Sequence, residues 1–210
     1  GYGIAAVAKF GFPLPTGQAD EALVRARAST AVELVGLHLH IGSQVFSVAN
    51  FLEGLGAIAP FVLDADLAEL VVGGGLGVAY VAGESAPSIT EWASAVLGAC
   101  RSLGITADIG IEPGRAIVGA AAITVYTVGT VKFIPGVRTY VSVDGGMSDN
   151  PRPVLYGSGY ETFLPRAATS RREMPIRLVG KHCESGDVPG REGRVAADLA
   201  VGDIIATPVT

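Results

Sequence analysis

Strand-type and helix-type segments alternate along the first half of the chain, and this alternation constrains the fold more than any other feature. Strand-type apolar patterns occupy residues 32–42, 67–72 and 105–111, and helix-forming segments occupy residues 18–31, 49–62 and 88–103. Such alternation is typical of parallel strands joined by crossover helices. We therefore predict an α/β architecture for residues 1–118, part of a TIM (β/α) barrel, which begins with a loop or pocket edge at residues 1–17.

The pattern changes after Arg115. Residues 116–132 and 139–143 are rich in Val, Thr and Tyr with no helix predicted between them, and residues 176–179 and 201–207 continue as strands. We predict a boundary near residue 118. Residues 119–210 are then expected to form an all-β domain, a barrel or a sandwich.

Composition excludes several classes of partner. The chain has 210 residues, a net charge of −5 and no basic patch, so neither nucleic acid nor an anionic membrane is an expected partner. Gly, Pro or Asp interrupts every apolar stretch before about 18 residues, which predicts no membrane span. No secretory signal is visible, and two cysteines in unlike contexts, Cys100 and Cys183, favour a reducing cytoplasm.

The two ends of the chain suggest a longer polypeptide. There is no initiator methionine, and residues 203–210 have the pattern of a strand that is still in progress. We expect sequence beyond both ends.

The strand at residues 105–111 ends abruptly in Glu112, Pro113, Gly114 and Arg115. Proline removes a backbone donor and fixes φ, and glycine permits a tight turn, so the two charged groups are held at the end of the strand. Chemistry in β/α barrels gathers at the carboxyl ends of strands. The alternative is a structural salt bridge that closes the strand.

A glycine run, Gly73 to Gly77, follows the strand at residues 67–72. Its backbone N–H groups can approach an anion without obstruction by Cβ atoms, as a phosphate-binding nest requires. Ser43, at the end of an earlier strand, could add a hydroxyl group to the same anion. The run is not a nucleotide motif, and glycine turns after strands are common.

Two histidines, His38 and His40, lie on one face of the strand at residues 32–42. Such a pair can hold a metal ion in a hydrolase, but the sequence contains only one further histidine, His182. Core histidines are the other alternative, more plausible for His38 than for His40. A phosphate cradle, an imidazole and a carboxylate on successive strand ends instead match what pyridoxal phosphate needs: an anion site, a flat group against its ring, and an acid at its ring nitrogen.

Motifs spread in order along nearly the whole chain resemble the diaminopimelate decarboxylase family. They are HLHIGSQ at residues 38–44, GGGLG at 73–77, EPGR at 112–115, DGGMSDNPRP at 144–153 and KHCESGD at 181–187. The family belongs to the alanine-racemase-like, fold-type III group of enzymes and decarboxylates meso-2,6-diaminopimelate to L-lysine and CO₂. The resemblance therefore implies a partial alanine-racemase-like barrel followed by a β-domain.

The resemblance also implies a role for each matching residue. The implied contacts to pyridoxal 5'-phosphate are made by His40, Ser43, Gly73, Gly74, Gly75, Gly77, Glu112, Pro113, Gly114 and Arg115. The implied substrate contacts are made by Arg115, Arg152, Tyr156 and Glu184. Cys183 would protonate the carbon that loses CO₂, and this cysteine would come from the partner subunit of a homodimer.

One family feature is missing. The family attaches its cofactor to a lysine on an early barrel strand, and none of Lys9, Lys132 and Lys181 has that context. We therefore expect the 210-residue chain alone not to turn over substrate. Two alternatives remain open: a related decarboxylase acting on ornithine, arginine or carboxynorspermidine, and a non-catalytic homologue that binds the cofactor.

Overall fold

A computed structural model describes residues 10–210 of the chain. These residues fall into two compact units, one made of residues 10–78 and 85–117 and the other of residues 79–84 and 118–210. The first nine residues of the loop predicted at 1–17, Lys9 included, lie outside the described part. Residues 10–17 form bends and turns ahead of the first helix.

The first unit has the predicted α/β class. Its elements are α1 (Gln18–Ala28), β1 (Gly36–His38), α2 (Val48–Ala65), β2 (Glu69–Gly74), α3 (Ile89–Ser102), β3 (Asp108–Glu112) and the short α4 (Gly114–Val118). The strands form one parallel sheet in the order β1-β2-β3. The strand–helix alternation read from the sequence thus appears as parallel strands with crossover helices, which confirms the partial barrel class.

Local sequence explains where α3 begins. Ser88 accepts a hydrogen bond from the N–H of Glu91, and Glu91 in turn accepts from the N–H of Ser88, which forms a capping box. The buried face of α3 carries Trp92, Val96 and Cys100, so Cys100 is the core thiol that its helical spacing predicts. The Trp92 ring packs against Phe51 of α2, with ring centroids 5.1 Å apart.

By length and composition, α2 is the one helix among residues 10–210 that could cross a membrane. Seven of its residues are nevertheless buried in the structure: Phe51, Gly54, Leu55, Ile58, Ala59, Val62 and Ala65. Several of them belong to the same apolar core as Leu70 and Val72 of β2. The core of this unit accounts for the apolar character of the helix.

Two segments differ from the sequence predictions. The strand expected at residues 32–42 pairs only over Gly36–His38, because after one further bond from the Leu39 N–H to Val71 O (2.8 Å) the backbone turns at Gly42, where φ is 147°. Residues 114–121, partly expected as strand, form α4 and a 3-10 turn. Pro113 precedes this turn and its carbonyl accepts from the Ile117 N–H, so a helical turn forms despite the β-branched residues.

The second unit is built on a five-stranded sheet. Its elements are β4 (Ile123–Ile134), β5 (Arg138–Val143), α5 (Arg152–Tyr156), β6 (Met174–Val179), β7 (Gly190–Val195) and β8 (Ile204–Pro208), and the sheet order is β7-β6-β5-β4-β8. All pairs are antiparallel except β5 with β6. The sequence did not predict β7, because its residues GREGRV are mostly polar or glycine and tertiary pairing with β6 overrides their weak strand preference.

Candidate functional site

The carboxyl ends of the three parallel strands bring the predicted cofactor residues to one edge of the first unit. In the register of the sheet, His38 lies opposite Val71 and Gly74 lies opposite Glu112. A histidine, a glycine and a carboxylate therefore end successive strands side by side. The histidine in this register is His38, whereas the predicted ring contact is His40, two residues further along the chain.

Glu112 is joined to His38. The His38 Nε2 atom lies 3.0 Å from Glu112 Oε2, and the two side chains are 52% and 55% exposed. His38 is therefore not a core histidine, and its contact with Glu112 joins the ends of β1 and β3, which flank β2 in the sheet. One carboxylate oxygen of Glu112 is held by this contact while the side chain stays accessible.

His40 lies beside the glycine run. Its imidazole is nearly parallel to that of His38, with an interplanar angle of 4° and centroids 6.4 Å apart. A Cβ atom built on Gly73 would lie 3.1 Å from His40 Nδ1, so the absence of a side chain at Gly73 leaves room for this histidine. The exposed imidazole face is suited to contact a flat ring.

The glycine run is shaped by a close backbone approach. Gly75 has φ of +93°, and a Cβ atom there would overlap the carbonyl oxygen of Gly42, with the Cα of Ser43 only 3.5 Å away. Val45 then bridges the run, donating its N–H to Gly75 O at 2.8 Å and accepting the N–H of Gly77 at 2.9 Å. Ser43 and Gly75 are thus neighbours, as a shared phosphate contact needs, whereas the N–H of Gly77 is already engaged.

The residues that follow β3 begin α4. Pro113 and Arg115 are partly buried and Gly114 is exposed. Arg115 lies in the first turn of α4, three residues after Glu112, so both charged groups stay near the end of β3.

In the second unit, two glycine-rich loops are tied together. The carboxylate of Asp187 is 2% exposed and accepts hydrogen bonds from the N–H of Met147 (2.7 Å) and the N–H of His182 (2.9 Å). The N–H of Lys181 also donates to Gly145 O at 2.9 Å. The loop at residues 144–150 and the loop at residues 181–187 therefore form one assembly centred on a buried carboxylate.

This assembly presents Cys183 and Glu184 at its surface, and both are exposed. The Glu184 carboxylate accepts from the Gly186 N–H (3.1 Å) and from the Ser185 hydroxyl (3.2 Å). These two bonds lower the pKa of Glu184, the Gly186 N–H contributing most, so the side chain is an anion at neutral pH. An exposed anion beside a thiol can hold an ammonium group of a ligand.

Arg152 is placed by aromatic rings. It begins α5 directly after the first loop, and its backbone N–H donates to Asn150 Oδ1 at 3.2 Å. Its guanidinium carbon lies 5.0 Å from the centroid of the Tyr156 ring and 5.7 Å from that of the Tyr80 ring. Tyr80 belongs to the segment 79–84, which the structure groups with the second unit although it lies between β2 and α3 in the sequence.

Sequence reasoning did not assign a functional role to three of these residues. His38 was visible as one half of a histidine pair, and Asp187 as the last residue of a motif, so both carried a weak signal. Tyr80 carried none, because its contact with Arg152 depends on tertiary structure alone.

Within residues 10–210, no three His, Cys, Asp or Glu side chains converge in an arrangement that could hold a metal ion. The residues do fit a flat, anionic cofactor in the first unit: an imidazole, a serine beside a glycine cradle, and a carboxylate share one strand edge.

A family model described as "Pyridoxal-dependent decarboxylase, pyridoxal binding domain" matches residues 5–119.

The chain belongs to the pyridoxal-dependent decarboxylase family. It is 42% identical to a diaminopimelate decarboxylase from Corynebacterium efficiens, over 96% of this chain and 47% of the relative. Such matches confirm the resemblance read from the motifs.

Solved structures of diaminopimelate decarboxylases have a similar fold. The crystal structure of diaminopimelate decarboxylase from M. jannaschii in complex with L-lysine has a TM-score of 0.83 and 27% identity, over 97% of this chain and 48% of that one. The enzyme from Helicobacter pylori, also complexed with L-lysine, has a TM-score of 0.76 and 31% identity, over 90% of this chain and 48% of that one. The chain thus spans about half the length of the family members it matches.

Proposed function

We propose that this chain forms the cofactor and substrate contacts of a pyridoxal 5'-phosphate-dependent decarboxylase that converts meso-2,6-diaminopimelate to L-lysine and CO₂. The observation that carries the proposal is the shared strand edge of the first unit, where His40, Ser43 beside Gly75, and Glu112 lie within the residues matched by the family. The substrate is supported by relatives named for that reaction.

The bound cofactor would supply an electron sink for the charge left when CO₂ departs. Glu112, oriented by His38, would pair with the ring nitrogen, and the imidazole of His40 would lie against the ring face. Ser43 and the run from Gly73 to Gly77 would bind the phosphate. Pro113 and Gly114 would fix the start of α4 and line the site beside Arg115.

The substrate contacts follow from the charges of its two ends. Arg115 and Arg152 would grip the remote carboxylate, since a guanidinium group binds a carboxylate with two parallel hydrogen bonds, and Tyr156 would flank it. Glu184, whose pKa is lowered further by its hydrogen bonds from Gly186 and Ser185, would hold the remote ammonium group as an anion. The thiol of Cys183 would return a proton to the α-carbon that loses CO₂.

A substrate panel tests the proposal. The protein is expressed from its complete gene, loaded with pyridoxal 5'-phosphate and assayed for CO₂ release from meso-diaminopimelate, ornithine, arginine and carboxynorspermidine. We expect release from meso-diaminopimelate alone, with L-lysine as product. Preference for another amine would favour a related decarboxylase, and cofactor binding without turnover of any substrate would favour a non-catalytic homologue.

We also propose that two copies of the protein share each active site, with Cys183 supplied by the partner. A mixing experiment tests this. Glu112→Ala and Cys183→Ala proteins, each inactive, are exchanged into mixed dimers. Because half of the assemblies would be mixed and each would hold one intact site, activity should return to about a quarter of the wild-type value. No recovery despite subunit exchange would contradict a shared site.

The site of action is expected to be the cytoplasm. This rests on the two cysteines, of which Cys100 is a buried free thiol and Cys183 an exposed free one. A reducing compartment would keep an exposed thiol with a proposed role as proton donor in its reduced form.

A further inference from the structure

The guanidinium group of Arg152 lies over the faces of two tyrosine rings, and no ion pair of Arg152 with a carboxylate is seen among residues 10–210. It lies over Tyr156 at 5.0 Å and over Tyr80 at 5.7 Å, within the range of a cation–π contact. Its Nε atom is buried and has no hydrogen-bond partner among residues 10–210. The Nε–H donor of Arg152 is therefore unpaired among these residues.

The two rings differ in how firmly they are held. Tyr156 is 70% exposed, so its ring can move in solvent, whereas Tyr80 is 5% exposed. Tyr80 packs on the buried ring of Tyr160, with centroids 4.8 Å apart and an interplanar angle of 32°. Of the two rings that contact the guanidinium group, Tyr80 is therefore the one whose position is fixed by packing.

The segment that carries Tyr80 is itself fixed. The backbone N–H of Tyr80 donates to the Glu84 carboxylate at 2.7 Å, which closes the turn at residues 80–84. The N–H of Ala82 donates to Glu161 at 2.9 Å, and Glu161 also lies 3.5 Å from the guanidinium of Arg172. The carboxylates of Glu84 and Glu161 thus fix the backbone of the segment that carries the Tyr80 ring.

We propose that Tyr80 is a positioning residue that fixes the guanidinium plane of Arg152 for a second carboxylate on the ligand, and so contributes to selection of dicarboxylates over monocarboxylates. This rests on the proposed function, in which Arg152 binds the remote carboxylate. The stack of Tyr160, Tyr80 and Arg152 presets the orientation of the donors. The Arg152 side chain then loses less conformational freedom when the carboxylate binds.

Calorimetry measures this selection without turnover. Heptanedioate, which has a carboxylate at each end, and heptanoate, which has only one, are titrated into the cofactor-loaded protein expressed from its complete gene. The ratio of the two dissociation constants reports the preference for the second carboxylate. We expect Tyr80→Leu to reduce this preference roughly three- to thirty-fold, the range of a cation–π contact, and Tyr80→Phe to retain it within about twofold.

The chain offers a matched control. Arg138 lies over the Tyr140 ring at 5.9 Å on the sheet of the same unit, so Tyr140→Leu removes a similar contact away from α5. This variant should keep the wild-type preference.

A series of fluorinated phenylalanines at position 80, inserted by stop-codon suppression, weakens the ring's attraction for a cation at nearly constant volume. The preference should fall with each added fluorine while the melting temperature stays constant.

The possible results distinguish the role of Tyr80 from the carboxylate contact proposed for Arg152. If the wild-type protein prefers heptanedioate and the preference is unchanged in Tyr80→Leu and across the fluorinated series, the role of Tyr80 is overturned alone. If the wild-type protein binds both ligands equally, the carboxylate contact proposed for Arg152 is overturned, and the role of Tyr80 with it.

Discussion

The Nε2 atom of His38 lies 3.0 Å from Oε2 of Glu112, so a residue at the end of β1 holds the carboxylate that ends β3. The two residues are 74 positions apart in the sequence, and both stay about half exposed. In the proposed function this contact leaves the other oxygen of Glu112 to face the ring nitrogen. In that arrangement His38 would act on the cofactor through Glu112.

Removing the His38 contact should weaken cofactor binding. We expect His38→Leu to raise the dissociation constant for pyridoxal 5'-phosphate by about three- to tenfold, less than a buried charged hydrogen bond would give because the pair is half exposed. His38→Gln, which keeps a donor, should stay within about twofold. Absorbance titration measures both, and His182→Leu in the second unit serves as the control; equal constants for His38→Leu and wild type would contradict the role.

Replacing Cys183 should separate chemistry from binding. We expect Cys183→Ala, in the protein expressed from its complete gene, to reduce kcat by at least about a hundredfold while the cofactor dissociation constant changes less than about twofold. Cys100→Ala is the matched control, since that thiol is 2% exposed in the core and should affect stability rather than turnover. An unchanged kcat in Cys183→Ala would remove this residue from the proposed proton transfer.

A methyl group at Gly75 should destabilise the first unit. The backbone there has φ of +93°, and the new Cβ atom would overlap the carbonyl oxygen of Gly42. We expect Gly75→Ala to lower the free energy of unfolding by about 1–3 kcal/mol. Gly56→Ala, in α2 with nothing within 4 Å of the added atom, should be neutral or stabilising by up to about 1 kcal/mol. Urea denaturation compares the two, and equal effects would mean that the close approach is not obligatory.

The ion-pair network of Arg166 should make the second unit sensitive to acid. Arg166 contacts Asp203 and Asp198, each at 2.7 Å, and its hydrogen bonds lower the pKa of both carboxyl groups. A lowered pKa in the folded state stabilises the protein above the unfolded value near 3.8, and this stabilisation is lost as the pH falls through the lower folded value.

Arg166→Leu should therefore lower the melting temperature at pH 7, and its difference from wild type should shrink as the pH falls below about 4. Arg171→Leu, which breaks a 3.4 Å pair with Glu173 whose arginine is 90% exposed, should have a smaller effect at either pH. Thermal melts across the pH range provide the measurement. A difference that grows in acid would contradict the assignment.

Much of the fold was predictable because its signals are local. The apolar periodicity of α2 and the capping residues Ser88 and Glu91 lie within a few positions of the structure they specify. Boundaries were less predictable where pairing decides them. β1 stops soon after His38 because only one further hydrogen bond, from the Leu39 N–H to Val71 O, joins it to β2. The polar segment of β7 becomes a strand only because β6 lies beside it.

The sequence by itself determined the α/β class followed by β-structure, the run of strand-end motifs, and the family they indicate. Only the tertiary structure decided that His38 contacts Glu112, that Gly75 must lack a side chain beside Gly42, and that Arg152 lies over Tyr80. Residue types and spacings encode which groups stand at a strand end. Which of those groups touch depends on strand register and on chain segments distant in sequence, and these are fixed only when the cores pack.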